Sequence, residues 1–316
     1  MYKRQDDIYV GETICKEGFE EALPLIKVSE PTVQMNFGTN TSPFAGKEGK
    51  FVTGRKIEER LFRETQRDVS LKISRVDNKE EWIVSGRGEL HLSILIENLR
   101  REGFEFQVSR PRVILKEING VVNEPYEYVQ VDVPDAYIGS TIEMFGNRRG
   151  NLEGMNSKDG QTRLIYTIPS KGLIGFMTDF LTATHGYGIM NHTFLEYRPV
   201  QPDVFMGRKL GVLVSINQGM ATAYACGGVE DRGELLIEPG IMVYEGMIVG
   251  ICNREEDLAV NITREKQMTN QRSATKDSTT VLKKPRVFSL ENYLSFIDDD
   301  ELVEVTPISI LSLIHI

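Results

Sequence analysis

Between Thr32 and Val108 the spacing of apolar residues changes in a fixed order, and that order limits the possible folds more than any composition could. Thr32–Asn40 alternates apolar and polar residues (Val33, Met35, Phe37), the mark of a strand with one buried face. Phe51–Gln66 then sets Ile57 and Leu61 at helical spacing, and Val69–Val76 and Glu81–Ser85 are short strands joined across the turn-forming pair Asp77-Asn78. Glu89–Glu102 reads as a helix with Leu90, Ile94, Leu95 and Leu99 on its inner stripe; Gly103 ends it and Phe104–Val108 returns as a strand. The same order recurs downstream: strand Tyr126–Val133, helix from Gly139 to Phe145, a hairpin of Asn151–Asn156 and Thr162–Ile168 around Asp159-Gly160, helix Leu173–Thr184, and strand Ile189–Tyr197. Two βαββαβ units in tandem predict an α+β protein built of ferredoxin-like sandwiches, each with its helices on one face of a sheet.

After about Gln201 the texture becomes β-rich, with short strands expected at Gly211–Ser215, Ala221–Ala225, Gly233–Ile237, Met242–Val243 and Ile248–Cys252, separated by glycine turns. Asn261–Lys284 has few large apolar residues and reads as a long loop, after which Ser289 caps a short helix carrying Leu290, Tyr293, Leu294 and Ile297. The expected organisation is a leftover at 6–31 too short for a core of its own, one βαββαβ domain over 32–112, a second over 113–200, and a β-rich C-terminal domain over 201–310. With 40% apolar residues the chain can fill such cores, and it holds no apolar run long enough for a spanning helix.

The two ends read differently. Leu311 to Ile316 is the translation of CTGTCTCTTATACACATC, whose reverse complement contains GTG-TAT-AAG-AGA-CAG and gives Met1 to Gln5 when GTG is a start. Both ends, 1–5 and 311–316, are therefore expected to derive from a sequencing adaptor and to carry no function, and the parent protein is expected to be longer.

Chemistry is sparse. There is no G-x-x-x-x-G-K-[ST] and no D-x-x-G, and Ala45-Gly46-Lys47-Glu48 has Glu where a magnesium-binding hydroxyl would be needed, so the chain is expected to hold no nucleotide, metal or catalytic group. Cys15, Cys226 and Cys252 form no CxxC, and His185 and His192 have no third ligand close by in sequence. His91 sits where Gly86-Arg87-Gly88 runs into a helix, a place suited to an anion or to packing between domains.

Charge placement is more informative. The chain carries a formal charge of −9, from 37 basic and 46 acidic residues, so any nucleic-acid contact must be a local patch. Ile262 to Arg286 supplies it: Arg264, Lys266, Arg272, Lys276, Lys283, Lys284 and Arg286 against Glu265 and Asp277, seven minus two, or +5. Among these cations Asn261, Thr263, Thr269 and Asn270 offer neutral hydrogen bonds, a mixture that suits phosphates and sugar hydroxyls. A solvated polar loop would have the same composition. Arg148-Arg149 is a smaller basic set that equally fits charges complementing a helix C-terminus.

Three segments carry a resemblance. Asn40-Thr41-Ser42-Pro43-Phe44-Ala45-Gly46-Lys47-Glu48-Gly49-Lys50-Phe51-Val52-Thr53 is the first. Ser85-Gly86-Arg87-Gly88-Glu89-Leu90-His91-Leu92-Ser93, continuing to Ser109-Arg110-Pro111, is the second, and Ile168-Pro169-Ser170-Lys171-Gly172-Leu173-Ile174-Gly175-Phe176 is the third. Together they resemble the TypA/BipA translational GTPases, relatives of elongation factor G, from about Asp7 to Ile310. The resemblance implies that the two βαββαβ units correspond to elongation-factor-G-like domains III and V, and that 6–31 is the remnant of a β-barrel. It also implies that GTP and magnesium belong to a missing N-terminal GTPase domain. The expected partner is the ribosome (the large subunit and its rRNA, and the acceptor end of an A-site tRNA), with a role in large-subunit assembly or translation under stress. The expected state is a cytoplasmic monomer. In the family a basic loop of the last domain reaches into the A site. Here that loop corresponds to Asn261–Lys276, so Asn261, Thr263, Arg264, Lys266, Thr269, Asn270, Arg272 and Lys276, with Arg148 and Arg149, are the expected RNA contacts.

Overall fold

The computed structural model describes residues 13–19, 21–24, 30–201, 208–266 and 282–314. The first unit contains strands β1 (Val33–Gly38), β2 (Lys72–Arg75), β3 (Glu81–Gly86) and β4 (Phe106–Ser109) with helices α1 (Gly54–Thr65) and α2 (Glu89–Arg101). A two-residue strand β5 (Arg112–Val113) pairs with β1, and β6 (Lys116–Ile118) leads into the second unit. That unit holds β7 (Val121–Pro134), α3 (Ile138–Asn147), β8 (Asn151–Lys158), β9 (Gln161–Pro169), α4 (Phe176–Ala183) and β10 (Ile189–Pro199). The order β4-β1-β3-β2 in one sheet matches β10-β7-β9-β8 in the other, all antiparallel. Both units are therefore ferredoxin-like sandwiches, as the periodicities predict.

The inner face of α2 differs from expectation. Leu92, Leu95, Ile96 and Leu99 are buried, whereas Leu90 and Ile94 are 62% and 52% exposed. Positions 92, 95, 96 and 99 follow the i, i+3, i+4, i+7 pattern, and 90 and 94 lie on the opposite side. The second helix of the second unit starts later than its apolar pattern suggests. A 3-10 turn at Ser170–Leu173 precedes it, and Gly175, at φ +68°, opens α4.

The last domain contains β11 (Val212–Ser215), β12 (Gly219–Met220), α5 (Ala223–Val229), β13 (Gly233–Leu235), β14 (Met242–Val243), β15 (Ile248–Cys252) and β16 (Leu258–Val260). Its sheet runs β13-β15-β11-β16, with β11 and β16 parallel, and β12 pairs with β14 alongside. The expected strand at Ala221–Ala225 is instead the start of α5. Thr222 Oγ1 accepts a hydrogen bond from the Ala225 N–H at 3.1 Å, an N-cap that turns this Ala-rich stretch into a helix.

Beyond the loop come α6 (Leu290–Phe296), β17 (Glu301–Val305) and β18 (Ile310–Ile314), and these leave their own domain. β17 pairs antiparallel with β4, extending the first unit's sheet to β18-β17-β4-β1-β3-β2. Leu290, Tyr293, Leu294, Ile297, Val303 and Val305 join the core of α1, α2 and β1–β4. The stretch 201–310 is thus shared between two bodies. The adaptor-like Leu311–Ile316 also contributes, its described part forming β18 against β17. Leu-Ser-Leu-Ile alternates as a strand does whatever its origin, and an edge strand is a ready template for it. At the other end, the described residues 13–19 and 21–24 of the leftover lie outside any sheet, and Ile14, Phe19 and Leu23 are exposed.

Candidate nucleic-acid interface

Both stems of the basic loop are held by the last domain. On the outgoing side Ile262 is fully buried, and Asn261 Oδ1 accepts hydrogen bonds from the N–H and the hydroxyl of Thr263, both at 3.1 Å. This side-chain turn is a local alternative to strand pairing and ends β16. Thr222 then binds the stem twice, its N–H to the Ile262 carbonyl at 3.0 Å and its hydroxyl to the Arg264 carbonyl at 2.5 Å. On the returning side Leu282 packs on the domain core, the Lys283 N–H donates to Glu230 Oε1 at 2.7 Å, and the Arg286 N–H donates to the Leu235 carbonyl at 2.9 Å. The cap and the end of α5 therefore fix the two stems.

The side chains of Arg264 and Lys266 are exposed at the outgoing stem, and Lys283, Lys284 and Arg286 at the return. Thr269, Asn270, Arg272 and Lys276 lie outside the described residues. Asn261 and Thr263 spend hydrogen-bonding capacity on each other, a role their composition did not reveal. Arg148, at the end of α3, faces inward: Nη1 donates to the Gly172 and Ile174 carbonyls at 3.3 and 2.8 Å, and Nη2 to Asp179 at 3.2 Å. It braces the turn before α4. Arg149, at φ +59°, is exposed and donates to Gln201 Oε1 at 3.3 Å.

The three motif segments meet as joints between domains. Glu304 on β17 is 1% exposed, and its carboxylate accepts from Asn40 Nδ2 (2.6 Å), the Ser42 hydroxyl (2.7 Å) and the Tyr244 hydroxyl (2.8 Å). Glu105, fully buried just before β4, accepts from Asn40 Nδ2 and from the N–H groups of Gly46 and Gly49 at 2.7–2.8 Å. The loop between β1 and α1 thus wraps two carboxylates and reaches the last domain, where Phe44 meets Tyr244 edge-on, 5.0 Å between ring centres. Burial, and next the Glu304 charge, push the Tyr244 phenol well above its usual range. A side chain at Gly49 would collide with Glu105, its Cβ only 2.3 Å away.

Gly175 joins the second unit to the first and to the α6 docked on it. Its N–H donates to Glu89 Oε2, at the start of α2, at 2.7 Å, and a Cβ there would lie 2.5 Å from Ser295 Cβ on α6. Glu89 Oε1 is buried with no hydrogen-bond partner among the described residues. Burial raises this carboxyl from 4.5 to about 7, with Glu291 adding to the rise, while the Gly175 N–H and Arg148 oppose it. Beside it Gly88 abuts His192, whose Nδ1 pairs with the buried Glu127, a contact that raises the imidazole above 6.5. His91 Nε2 meets Asp68 at 2.7 Å while its Nδ1 accepts from the Arg87 N–H at 3.3 Å, so it serves packing at this turn. The half-buried Glu89, with one enclosed carboxylate oxygen, and the buried Glu105 and Glu304 were missed in the sequence. For Glu105 and Glu304 the available signal was a lone acid between apolar neighbours in a strand (Phe104-Glu105-Phe106, Val303-Glu304-Val305).

Similarity to known proteins follows the same divisions. Residues 52–110 match the family profile of elongation factor G domain III, 121–207 that of the elongation factor G C-terminus, and 210–313 that of the TypA/BipA C-terminal domain. The large ribosomal subunit assembly factor BipA of Bacillus subtilis is 56% identical over 306 residues, covering 96% of this chain and 50% of that protein. Those of Synechocystis sp. and Escherichia coli K12 are 52% and 50% identical over 305 residues, again covering 96% of this chain and 51% and 50% of their own lengths. The chain spans about half the length of the curated relatives it matches.

Proposed function

Because the chain belongs to the TypA/BipA family, we propose that it is the ribosome-contacting portion of a translational GTPase that serves large-subunit assembly or translation under stress. In this reading GTP and magnesium bind in a further domain, and the part described here positions and anchors. The basic loop is the RNA contact, with Arg264, Lys266, Arg272 and Lys276 neutralising phosphates of rRNA or of an A-site tRNA, in the cytoplasm and as a monomer. The observation that carries this reading is a +5 segment in a chain of −9, with both stems tied down and its described cations Arg264, Lys266, Lys283, Lys284 and Arg286 exposed. Four phosphate contacts give a log–log salt slope of about −3.

The test is sedimentation of the chain with ribosomes and with separated large subunits at low and moderate salt, beside an Arg264/Lys266/Arg272/Lys276→Glu variant. Salt-sensitive co-sedimentation that the variant loses is the expected result. Binding that survives the variant removes the loop from the interface, and no binding by the parent chain at low salt overturns the anchoring role.

A further inference from the structure

A cleft of about 990 Å³ opens where the three bodies meet, and its walls are cationic. An inner row is locked by internal partners: Arg110 with Asp298 (3.2 Å), Lys171 with the buried Glu124 (2.8 Å), Arg208 with the buried Glu301 (2.5 Å), and Arg148 with the carbonyls described above. These pairs fix the floor and cancel most of its charge. An outer row, Arg112, Arg149, Lys209 and Arg286, comes from all three bodies and is exposed. Among the described residues Arg112 and Arg286 form ion pairs with Asp299 and Glu234, at 3.1 and 3.5 Å, and those carboxylates are themselves 68% and 53% exposed. Exposed pairs of this kind contribute little to stability, so a phosphate can readily replace the carboxylate.

The cleft offers more than charge. Phe288 and Phe296 line it, with the Arg286 and Arg208 guanidinium groups 5.2 and 5.4 Å from their ring centres, and Asn147 and Asn292 add neutral hydrogen-bonding groups. Cations, aromatic faces and amides together are what a single strand needs for backbone tracking and stacking. Arg286 also belongs to the returning stem of the basic loop, so the cleft adjoins that stem.

We infer that this three-body cleft is a second RNA site, taking the phosphodiester backbone of an unpaired strand between Arg112, Arg149, Lys209 and Arg286. The inference rests on the RNA-contact reading of the loop and extends it to a surface that exists only when the three bodies are docked.

Fluorescence anisotropy of the full chain with a labelled oligouridylate of about twelve nucleotides, at about 50 and about 200 mM salt, tests it. The cleft variant is Arg112→Gln/Lys209→Gln/Arg286→Gln, with its unfolding midpoint measured so that a folding defect is seen separately. The expected result is an affinity loss of about tenfold or more at the lower salt and a salt slope shallower by about 2, from three contacts at ~0.7 each. The loop variant should lose affinity independently. If the cleft variant binds within about twofold of the parent while the loop variant fails, the cleft inference falls and the loop reading stands. If the parent chain binds no RNA, both fall. If sodium tripolyphosphate or an oligoglutamate of equal charge competes as well as the RNA, the cleft is a general anion site and the inference is overturned.

Discussion

The two βαββαβ units share one strand order and differ in what lies beside their last strand. In the first unit β4 is flanked by β17, and α6 packs on the helices, so β1 and β4 are buried almost throughout. In the second, the equivalent β10 has no further strand among the described residues. Ile189 and Leu195 on it are 61% and 43% exposed, and β8 at the other edge is exposed along nearly its whole length. Equal topology therefore does not mean equal role. The first unit is a hub that the last domain clasps, and the second is a peripheral body held at Gly175 and Gly88.

That contrast can be broken most forcefully at Leu294, which is fully buried on α6. Leu294→Ala should cost ~2–5 kcal/mol in urea unfolding. Met155→Ala, at a 56%-exposed position on the outer strand β8 of the second unit, should stay within ~0.5 kcal/mol. Equal losses would mean that the first unit is no hub.

The joint between the units is sharpened by pH. The folded chain keeps a proton on Glu89 that the unfolded chain releases between about 4.5 and about 7, so stability falls as pH rises through that window and stays lower above it. His192 acts in the same sense, because the stability from its raised value is present in acid and lost as pH climbs through the folded value. Glu89→Gln keeps an acceptor for the Gly175 N–H without the charge. It should raise stability at pH 8 by at most about 3 kcal/mol and change little at pH 4. A gain of equal size at both pH values would show that ionisation is not what strains the joint.

Gly175→Ala should act on docking more than on either core. It combines a left-handed backbone with a collision against Ser295, at ~1–3 kcal/mol. Hydrogen exchange at α4 and α6 should rise while β1 and β4 stay protected; unchanged exchange at α6 would remove Gly175 from the joint between the second unit and α6.

Much of this was legible in advance. Period-two and helical spacings placed the strands and helices of both units, and Ser289 marked the start of α6, where its hydroxyl accepts from the Asn292 N–H at 3.3 Å. Net charge marked the loop. Ala221–Ala225 misled because a short Ala-rich stretch has no decisive period, and a single Thr is a weak cap signal without one. Leu90 and Ile94 misled because apolar residues occupy more than one side of α2.

Local periodicity reports that a face must be buried, and in the two βαββαβ units it settled which segments are strands, which are helices, and in what order they run. It does not name what covers the face. That β17 would seal β4, that Glu304 would sit among Asn40, Ser42 and Tyr244, and that cations from three bodies would line one cleft depends on contacts between residues far apart in the chain. Their energy comes from desolvation and hydrogen bonding after docking, and it leaves no repeat along the chain to read.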